Sequence, residues 1–348
     1  MGADQNGGLS RLGPGRSGDR QVMRAAVCRS LGALGSIAVE DVPRPTVGRG
    51  QVRVEVAVAG ITYMDVLLAR GAYQVPLRPP YVPGSEFAGF VTETADDVAG
   101  FTVGDLVVGQ SGVGAFAEEL VTEATNVGRL PAGIPLPVAA TMLQSYSTAI
   151  YTLTRRSPLV ADDRVLVLGA GGGVGLAAID VAHTMGAVVI GAASTEAKRK
   201  LALEAGADFV IDTSSADLKC RARELAGGEL SVVVDPVGGA LAEQALRSLA
   251  FGGRHLVLGF ADSIPSVALN WVLLNGRSVI GVEFGAAIAR SPGLAWEINR
   301  EVIDRVARGR LRPTTPATVP LSRVAEAFLR LDERRAAGKV ALTVGGRG

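Results

Sequence analysis

The sequence is poor in the residues that build metal centres and disulfide frameworks: its 348 residues include two cysteines and two histidines. Cys28 and Cys220 are too few for a disulfide scaffold, so we expect reduced, packed thiols and a cytoplasmic location. His183 falls in a predicted helix and His255 begins a predicted strand, positions typical of packed histidines rather than metal ligands. The composition therefore disfavours both a disulfide-stapled fold and a histidine metal site.

The chain also lacks a dominant charge and a long apolar run. Its net charge is +1 and no extended basic block is present, so we expect no nucleic acid and no anionic membrane as partner. No apolar run reaches the ~18 residues that predict a transmembrane helix. Residues 1–22 are rich in Gly, Arg and polar side chains, which predicts a disordered N-terminal tail.

The length predicts about two domains, and the patterning changes between the two halves of the chain. Short apolar pieces cut by Gly and Pro extend to about residue 129, and Val52, Val54, Val56 and Val58 alternate as in a half-buried strand. From Asp163 onward strands and helices alternate, which predicts an α/β unit with a parallel sheet covered on both faces. The predicted domains are residues 23–147, completed by 286–348, and residues 148–285.

The bounds predicted for the second half follow from these patterns. The strands are Arg164–Gly169, Val188–Ala192, Phe209–Ile211, Val232–Asp235, His255–Leu258, Ser278–Gly281 and Lys339–Val344. The helices are Gly173–Met185, Glu196–Glu204, Ala216–Leu225, Ala240–Leu249, Pro292–Ala307 and Ser322–Arg334.

The stretch VLVLGAGGGVG at residues 165–175 reads as a strand, a glycine turn and the start of a helix. Gly172 and Gly175 let the backbone approach a pyrophosphate and let the helix pack on the strand. Free N–H groups at a helix N-terminus bind phosphate, and no Lys-Ser or Lys-Thr pair follows to indicate a P-loop. The pattern predicts a dinucleotide site that involves Gly171, Gly172, Gly173, Val174 and Gly175.

The end of the second strand of this unit predicts which dinucleotide binds. A carboxylate usually stands there for the ribose hydroxyls of NAD, whereas this sequence has Ser194 and reaches Glu196 only after the strand. Lys198 and Arg199 follow within one helical turn. Hydroxyl and cationic groups attract a 2′-phosphate, so we expect NADPH rather than NADH; a solvated helix face is the alternative for the two basic residues.

These motifs together resemble the medium-chain dehydrogenase/reductase superfamily and, within it, the zinc-independent quinone oxidoreductase (zeta-crystallin-like) branch. The resemblance covers nearly everything from Met23 onward, and it rests on AGITYMDVLLARGAY, PYVPGSEFAGFV, GDLVVG, GAGGGVG, DPVGG and GKVALTV. It implies a GroES-like β domain plus a Rossmann domain, a doubly wound parallel sheet, with cofactor and substrate in the cleft between them. It also implies a homodimer with the strand at Ser278–Phe284 on the subunit boundary.

The resemblance bears on metal binding as well. The superfamily's alcohol dehydrogenases place zinc ligands where this chain has Thr62, Ser85 and a residue at or beside Gln144, none of which is a soft or imidazole ligand. The four-cysteine lobe of structural zinc is absent from the sequence. We therefore expect metal-free chemistry.

Without a Lewis acid, hydrogen-bond donors are expected to stabilise the charge that arrives with a hydride. Tyr63 is the candidate donor; packing against the cofactor or holding Asp65 is its alternative role. Thr62 is placed to contact substrate or the nicotinamide amide. The resemblance also implies cofactor contacts at Thr148, Gly259, Phe260 and Phe284, with core packing as the alternative for the two phenylalanines. Lys339 is expected to bind the cofactor by facing the phosphates or the cleft, and Tyr73 and Tyr146 are the candidates to line the substrate pocket.

The leading hypothesis is an NADPH-dependent reductase of a small-molecule quinone or α,β-unsaturated carbonyl. An enoyl-thioester reductase is the alternative within enzymes, although no basic cluster in the β domain indicates a site for a coenzyme A tail. An NADPH-binding module with little turnover is the alternative from another class.

Overall fold

A computed structural model describes residues 21–73, 76–214, 217–291 and 293–345. The predicted tail of residues 1–22 lies outside these ranges except for its last two residues, and Val22 already belongs to the first strand. The strands are β1 (Val22–Val27), β2 (Ala38–Pro43), β3 (Gln51–Ile61), β4 (Glu86–Thr94), β5 (Leu106–Gln110), β6 (Glu119–Glu123), β7 (Val127–Arg129), β8 (Arg164–Leu168), β9 (Val188–Ala193), β10 (Phe209–Asp212), β11 (Leu230–Asp235), β12 (Leu249–Val257), β13 (Ser278–Gly281), β14 (Ala317–Pro320) and β15 (Val340–Thr343).

The helices are α1 (Tyr63–Arg70), α2 (Leu136–Ile150), α3 (Gly173–Thr184), α4 (Glu196–Glu204), α5 (Leu218–Leu225), α6 (Leu241–Ser248), α7 (Asn270–Leu273), α8 (Phe284–Arg290), α9 (Leu294–Ala307) and α10 (Val324–Asp332). A π-helical segment, Tyr151–Arg156, continues directly from α2. In the described part of the chain, no helix is both long and apolar enough to cross a bilayer.

The second half forms a parallel six-stranded sheet in the order β10-β9-β8-β11-β12-β13. Its centre is apolar on both faces: Val165, Leu166, Val167 and Leu168 are fully buried because helices cover the two sides. All six predicted strands are present. The largest difference is β12, which begins at Leu249 rather than His255 because Leu249 pairs with Leu230 before the ladder shifts register.

The first half forms a seven-stranded sheet in the order β14-β15-β3-β4-β5-β7, with β6 also paired to β3. The predicted alternation in β3 is confirmed, because Val52, Val54 and Val56 are fully buried. The C-terminal strand β15 pairs antiparallel with β3, so the end of the chain completes the sheet of the first domain.

Helix α2 joins the two halves. It packs on β3, β4 and β5 of the first sheet and on α3 of the second domain, and most of its side chains are buried. The predicted boundary between residues 147 and 148 therefore falls inside one continuous helix. Ser145 of α2 lies against Gly173 at the start of α3, the edge of the parallel sheet at which open α/β sheets bind ligands.

Candidate active site

The glycine turn connects β8 to α3, and glycines in it allow close backbone contacts. Gly169 has φ of 60°, a left-handed conformation that favours glycine. Gly172 is the N-cap of α3, so the first free N–H groups of this helix point out of the turn. A Cβ on Gly175 would lie 2.3 Å from the carbonyl oxygen of Gly169, and one on Gly171 would lie 2.3 Å from Cβ of Lys198. The turn is thus packed as a phosphate-binding turn requires.

Lys198 lies directly against this turn, in the first turn of α4. Its Nζ donates to the carbonyl oxygen of Arg334 at 2.7 Å. Burial lowers the pKa of Lys198, and the neighbouring charge of Arg334 lowers it further. Arg199 has other partners: it donates to the carbonyl of Ala193 and forms a 3.0 Å ion pair with Asp212. Of the two predicted cations, Lys198 is the one that faces the glycine turn.

Sequence reasoning missed Arg334, since that residue was expected to end a helix that in fact ends at Asp332. Arg334 adopts φ of 56°, and its guanidinium donates to the carbonyl of Ala261 at 2.8 Å and pairs with Asp262 at 2.9 Å. In the same segment the N–H of Gly338 donates to the carbonyl of Gly171 at 2.8 Å. Residues 333–338 therefore bridge the glycine turn and the loop that follows β12.

Tyr63 reaches that loop from the first domain. Its hydroxyl donates to the carbonyl of Ala261 at 3.3 Å, so one carbonyl accepts from both Tyr63 and Arg334. The preceding residue, Thr62, is the N-cap of α1 and forms a reciprocal capping box with Asp65. The capping box fixes the start of α1, so Thr62 and Tyr63 are held at the cleft by a rigid element.

A buried ion pair lies beside the glycine turn. Lys339 Nζ donates to Glu86 Oε1 at 2.7 Å and to Ser145 Oγ at 3.3 Å. The other carboxylate oxygen of Glu86 accepts from the backbone N–H of Gln144 at 3.1 Å. The Lys339 and Glu86 side chains are 11% and 1% exposed. A Cβ on Gly173 would lie 2.6 Å from Lys339 Cδ, which places this lysine against the start of α3.

The positions that hold zinc in the alcohol dehydrogenases come together here, but their chemistry does not fit zinc. Ser85 Oγ donates to Gln144 Oε1 at 3.5 Å, and the Thr62 hydroxyl bonds to Asp65. The nearby Glu86 is held by Lys339. Neutral hydroxyl and amide groups are poor zinc ligands. Over the described ranges, no group of three or more His, Cys, Asp or Glu side chains is arranged to hold a metal ion.

The remaining predicted site residues lie around the cleft with varied contacts. Thr148 donates within α2, to the carbonyl of Gln144 at 2.8 Å. Gly259 and Phe260 lie in the loop after β12, and Phe260 is 41% exposed. Ser194 is exposed at the end of β9. Val174 follows Gly173 in the first turn of α3.

The two aromatic pocket candidates differ. Tyr73 is half-buried, and burial together with the charge of Glu283 raises its pKa. Tyr146 is 5% exposed and its hydroxyl donates to Asp180 at 2.7 Å, which makes it a core side chain between α2 and α3. Phe284 begins α8 rather than ending a strand, and its ring stacks on Tyr151 with centroids 5.0 Å apart.

Comparisons with known proteins agree with this architecture. Residues 48–132 match the alcohol dehydrogenase GroES-like domain, and residues 173–301 match the zinc-binding dehydrogenase domain. A quinone oxidoreductase-like protein 2 of Mus musculus is 37% identical over 325 residues, which is 92% of each chain. A solved structure from Mycobacterium abscessus, described as an oxidoreductase, superposes with a TM-score of 0.84 at 32% identity, covering 92% of this chain and 99% of that one. The quinone oxidoreductase of Escherichia coli in complex with NADPH superposes with a TM-score of 0.83 at 27% identity, again over 92% and 99%.

Proposed function

Because the chain belongs to the quinone oxidoreductase-like branch of the medium-chain dehydrogenase/reductase superfamily, we propose that it is a zinc-independent, NADPH-dependent reductase of quinones or α,β-unsaturated carbonyls. One observation carries the proposal: Lys198 packs on the glycine turn, and the strand before it, β9, ends without a carboxylate. That arrangement suits a coenzyme with a 2′-phosphate. The neutral donors Thr62 and Tyr63 stand across the cleft, where such reductions need hydrogen bonds.

The bound coenzyme supplies the hydride. The protein binds and orients the coenzyme and the substrate, and it polarises the substrate oxygen. The N–H groups at the start of α3 would hold the pyrophosphate of a bound coenzyme, and Lys198, which now donates to the carbonyl of Arg334, would hold its 2′-phosphate. In the proposed reaction the hydroxyls of Tyr63 and Thr62 would turn from Ala261 and Asp65 to the substrate oxygen that gains negative charge. A quinone or enone oxygen is conjugated, so its developing anion needs less stabilisation than an alkoxide. Hydroxyl groups that donate hydrogen bonds therefore suffice to stabilise this anion at a site whose side chains do not fit zinc.

The direct test follows the loss of NADPH absorbance with a quinone, an enone and an enoyl-CoA, each supplied alone. We expect oxidation with the quinone or the enone. Turnover confined to the enoyl-CoA would replace our proposal with a thioester reductase. Tight NADPH binding without turnover on any of the three would indicate a binding module.

Lys198→Ala is expected to weaken NADPH binding by about tenfold to a hundredfold and to leave NADH binding nearly unchanged. The reason is the loss of a charge-assisted hydrogen bond to the 2′-phosphate, worth about 1.5–3 kcal/mol. Binding of each coenzyme is measured by fluorescence titration. Lys200→Ala is the matched control, because Lys200 is two residues away on the same helix and 77% exposed. Equal losses for both coenzymes would remove the assignment of Lys198.

Tyr63→Phe is expected to lower kcat by about tenfold to a hundredfold, since one neutral donor to the developing anion is lost. Steady-state kinetics with a quinone and an enone measure the effect. NADPH affinity is measured in parallel, because the Tyr63 hydroxyl also contacts the loop at Ala261. Unchanged kcat with both substrates would assign Tyr63 a packing role.

The homodimer is part of the same proposal. Strand β13 is an edge of the parallel sheet, and Val279 on it is 51% exposed; Leu273 in the preceding α7 is 79% exposed. An apolar edge strand favours pairing with a second copy. We expect Val279→Lys to convert a dimer into a monomer in sedimentation velocity. Val160→Lys, at a 65% exposed loop position, is expected to leave the dimer intact, and a dimer in both variants would contradict this surface.

A further inference from the structure

Asp65 is a buried carboxyl directly behind Thr62, and the reaction as described so far gives it no role. It is 1% exposed, and its Oδ2 accepts from the Thr62 hydroxyl at 2.7 Å and from the Thr62 N–H at 2.8 Å. Its Oδ1 is buried and has no hydrogen-bond partner in the described structure. One oxygen of the carboxyl group is therefore buried without a hydrogen bond from the protein, which disfavours the charged form.

The charged and titratable groups around Asp65 do not compensate this burial. The carboxyl group of Glu86, on β4, acts on Asp65 electrostatically, while the ammonium of Lys339 donates to Glu86 and to Ser145. Tyr81 precedes β4, and burial holds its pKa above the usual range, so it stays neutral. Desolvation, assisted by the charge of Glu86, raises the pKa of Asp65 to about 6, despite the opposing bonds from Thr62 and the charge of Lys339.

The protonation state of Asp65 sets the direction of the Thr62 hydroxyl. When Asp65 is a carboxylate, Thr62 Oγ1 donates to Oδ2, the bond seen at 2.7 Å. When Asp65 is protonated, Oδ2–H donates to Thr62 Oγ1 across the same distance. The hydroxyl hydrogen of Thr62 is then available to an acceptor in the cleft.

We propose that Asp65 supplies, through the hydroxyl of Thr62, the proton that the substrate takes up as it is reduced. This inference rests on the proposed function. The substrate accepts a hydride at carbon, and its oxygen gains the electron pair. That oxygen takes the hydrogen of Thr62 Oγ1, and Thr62 Oγ1 takes the proton of Asp65 Oδ2. Asp65 is left as a carboxylate and regains a proton from water after product leaves.

The test compares Asp65→Asn, Thr62→Val and Thr62→Ser with the wild-type protein. Asparagine keeps an oxygen to accept from the Thr62 N–H, so the start of α1 is preserved while the acidic proton is lost. We expect Asp65→Asn and Thr62→Val each to lower kcat by about a hundredfold. Thr62→Ser retains the hydroxyl and is expected to keep most of the activity. Melting temperature and NADPH affinity report whether each variant is folded.

The pH profile separates proton supply from a structural role. Wild-type kcat is expected to fall as pH rises above the pKa of Asp65, because only the protonated carboxyl donates. In Asp65→Asn this limb and the solvent deuterium isotope effect are expected to disappear. If the wild-type protein turns over and Asp65→Asn keeps the same limb and isotope effect, the relay is overturned and the proposed function stands. Absence of wild-type turnover with every quinone and enone would overturn the proposed function and the relay with it.

Discussion

Replacing Lys339 with methionine is expected to lower the free energy of unfolding by about 3–5 kcal/mol, the usual cost of leaving one partner of a buried ion pair without its counter-charge. Glu86 is 1% exposed, and Lys339 is the cation that its Oε1 contacts, at 2.7 Å. Methionine is close to lysine in length and fills the same space against Gly173. The expected loss is therefore electrostatic and not a cavity effect. Urea unfolding at neutral pH measures it.

A second substitution separates charge from packing at this site. In the double variant Lys339→Met with Glu86→Gln, the buried charge is gone and glutamine still accepts from the Gln144 N–H. We expect the double variant to recover most of the stability lost by Lys339→Met alone, because neutral, hydrogen-bonded groups are far less costly to bury than an unpaired charge. Lys200→Met, at an exposed position, serves as the control. A loss below about 1 kcal/mol for Lys339→Met would show that water reaches Glu86.

The ion pair also shows which parts of the site a sequence can predict. Lys339 was expected from its motif to face the phosphates or the cleft, and its side chain lies against Gly173 at the start of α3. Its partner Glu86 lies far away in the sequence, on β4, which pairs with β3 in the same sheet that β15 completes. No local pattern encodes that contact, because it depends on how the end of the chain returns to the first sheet. The same holds for Arg334, which reaches the cleft only because α10 ends at Asp332 and the next residues turn back over Gly171.

The fold itself was more predictable than the site contacts. The strands of the parallel sheet are apolar runs that end at Gly or polar residues, so their centres could be found from composition alone. Helix α4 has the predicted bounds because Thr195 caps its start with a bond to the N–H of Lys198. The π-helical segment Tyr151–Arg156 was missed, since its period is unlike the helical spacing used to find α2. Tyr146 was expected to line the substrate pocket; the bond from its hydroxyl to Asp180 on α3 joins two helices and could not be predicted from local spacing.

Substitutions in the glycine turn are expected to separate effects on stability from effects on coenzyme binding, because two of its positions require glycine for different reasons. A Cβ on Gly175 would meet the carbonyl oxygen of Gly169 at 2.3 Å and its carbon at 2.9 Å. Both are backbone atoms of the strand-to-turn junction, which cannot move aside without shifting α3. We expect Gly175→Ala to lower the free energy of unfolding by about 1–3 kcal/mol. A Cβ on Gly172 meets only the Gly169 oxygen, at 3.3 Å, so the same substitution there is expected to leave stability nearly unchanged.

Coenzyme binding is expected to respond in the opposite order. Gly172 is the N-cap of α3, where the backbone must approach the pyrophosphate, and a methyl group there stands between the N–H groups and the phosphate oxygens. We expect Gly172→Ala to weaken NADPH about a hundredfold, or ~2.7 kcal/mol, with a normal melting temperature. Fluorescence titration and thermal unfolding of both variants measure the two quantities. Normal NADPH affinity in a stable Gly172→Ala protein would place the pyrophosphate elsewhere, since a methyl group at the N-cap would obstruct a pyrophosphate bound there.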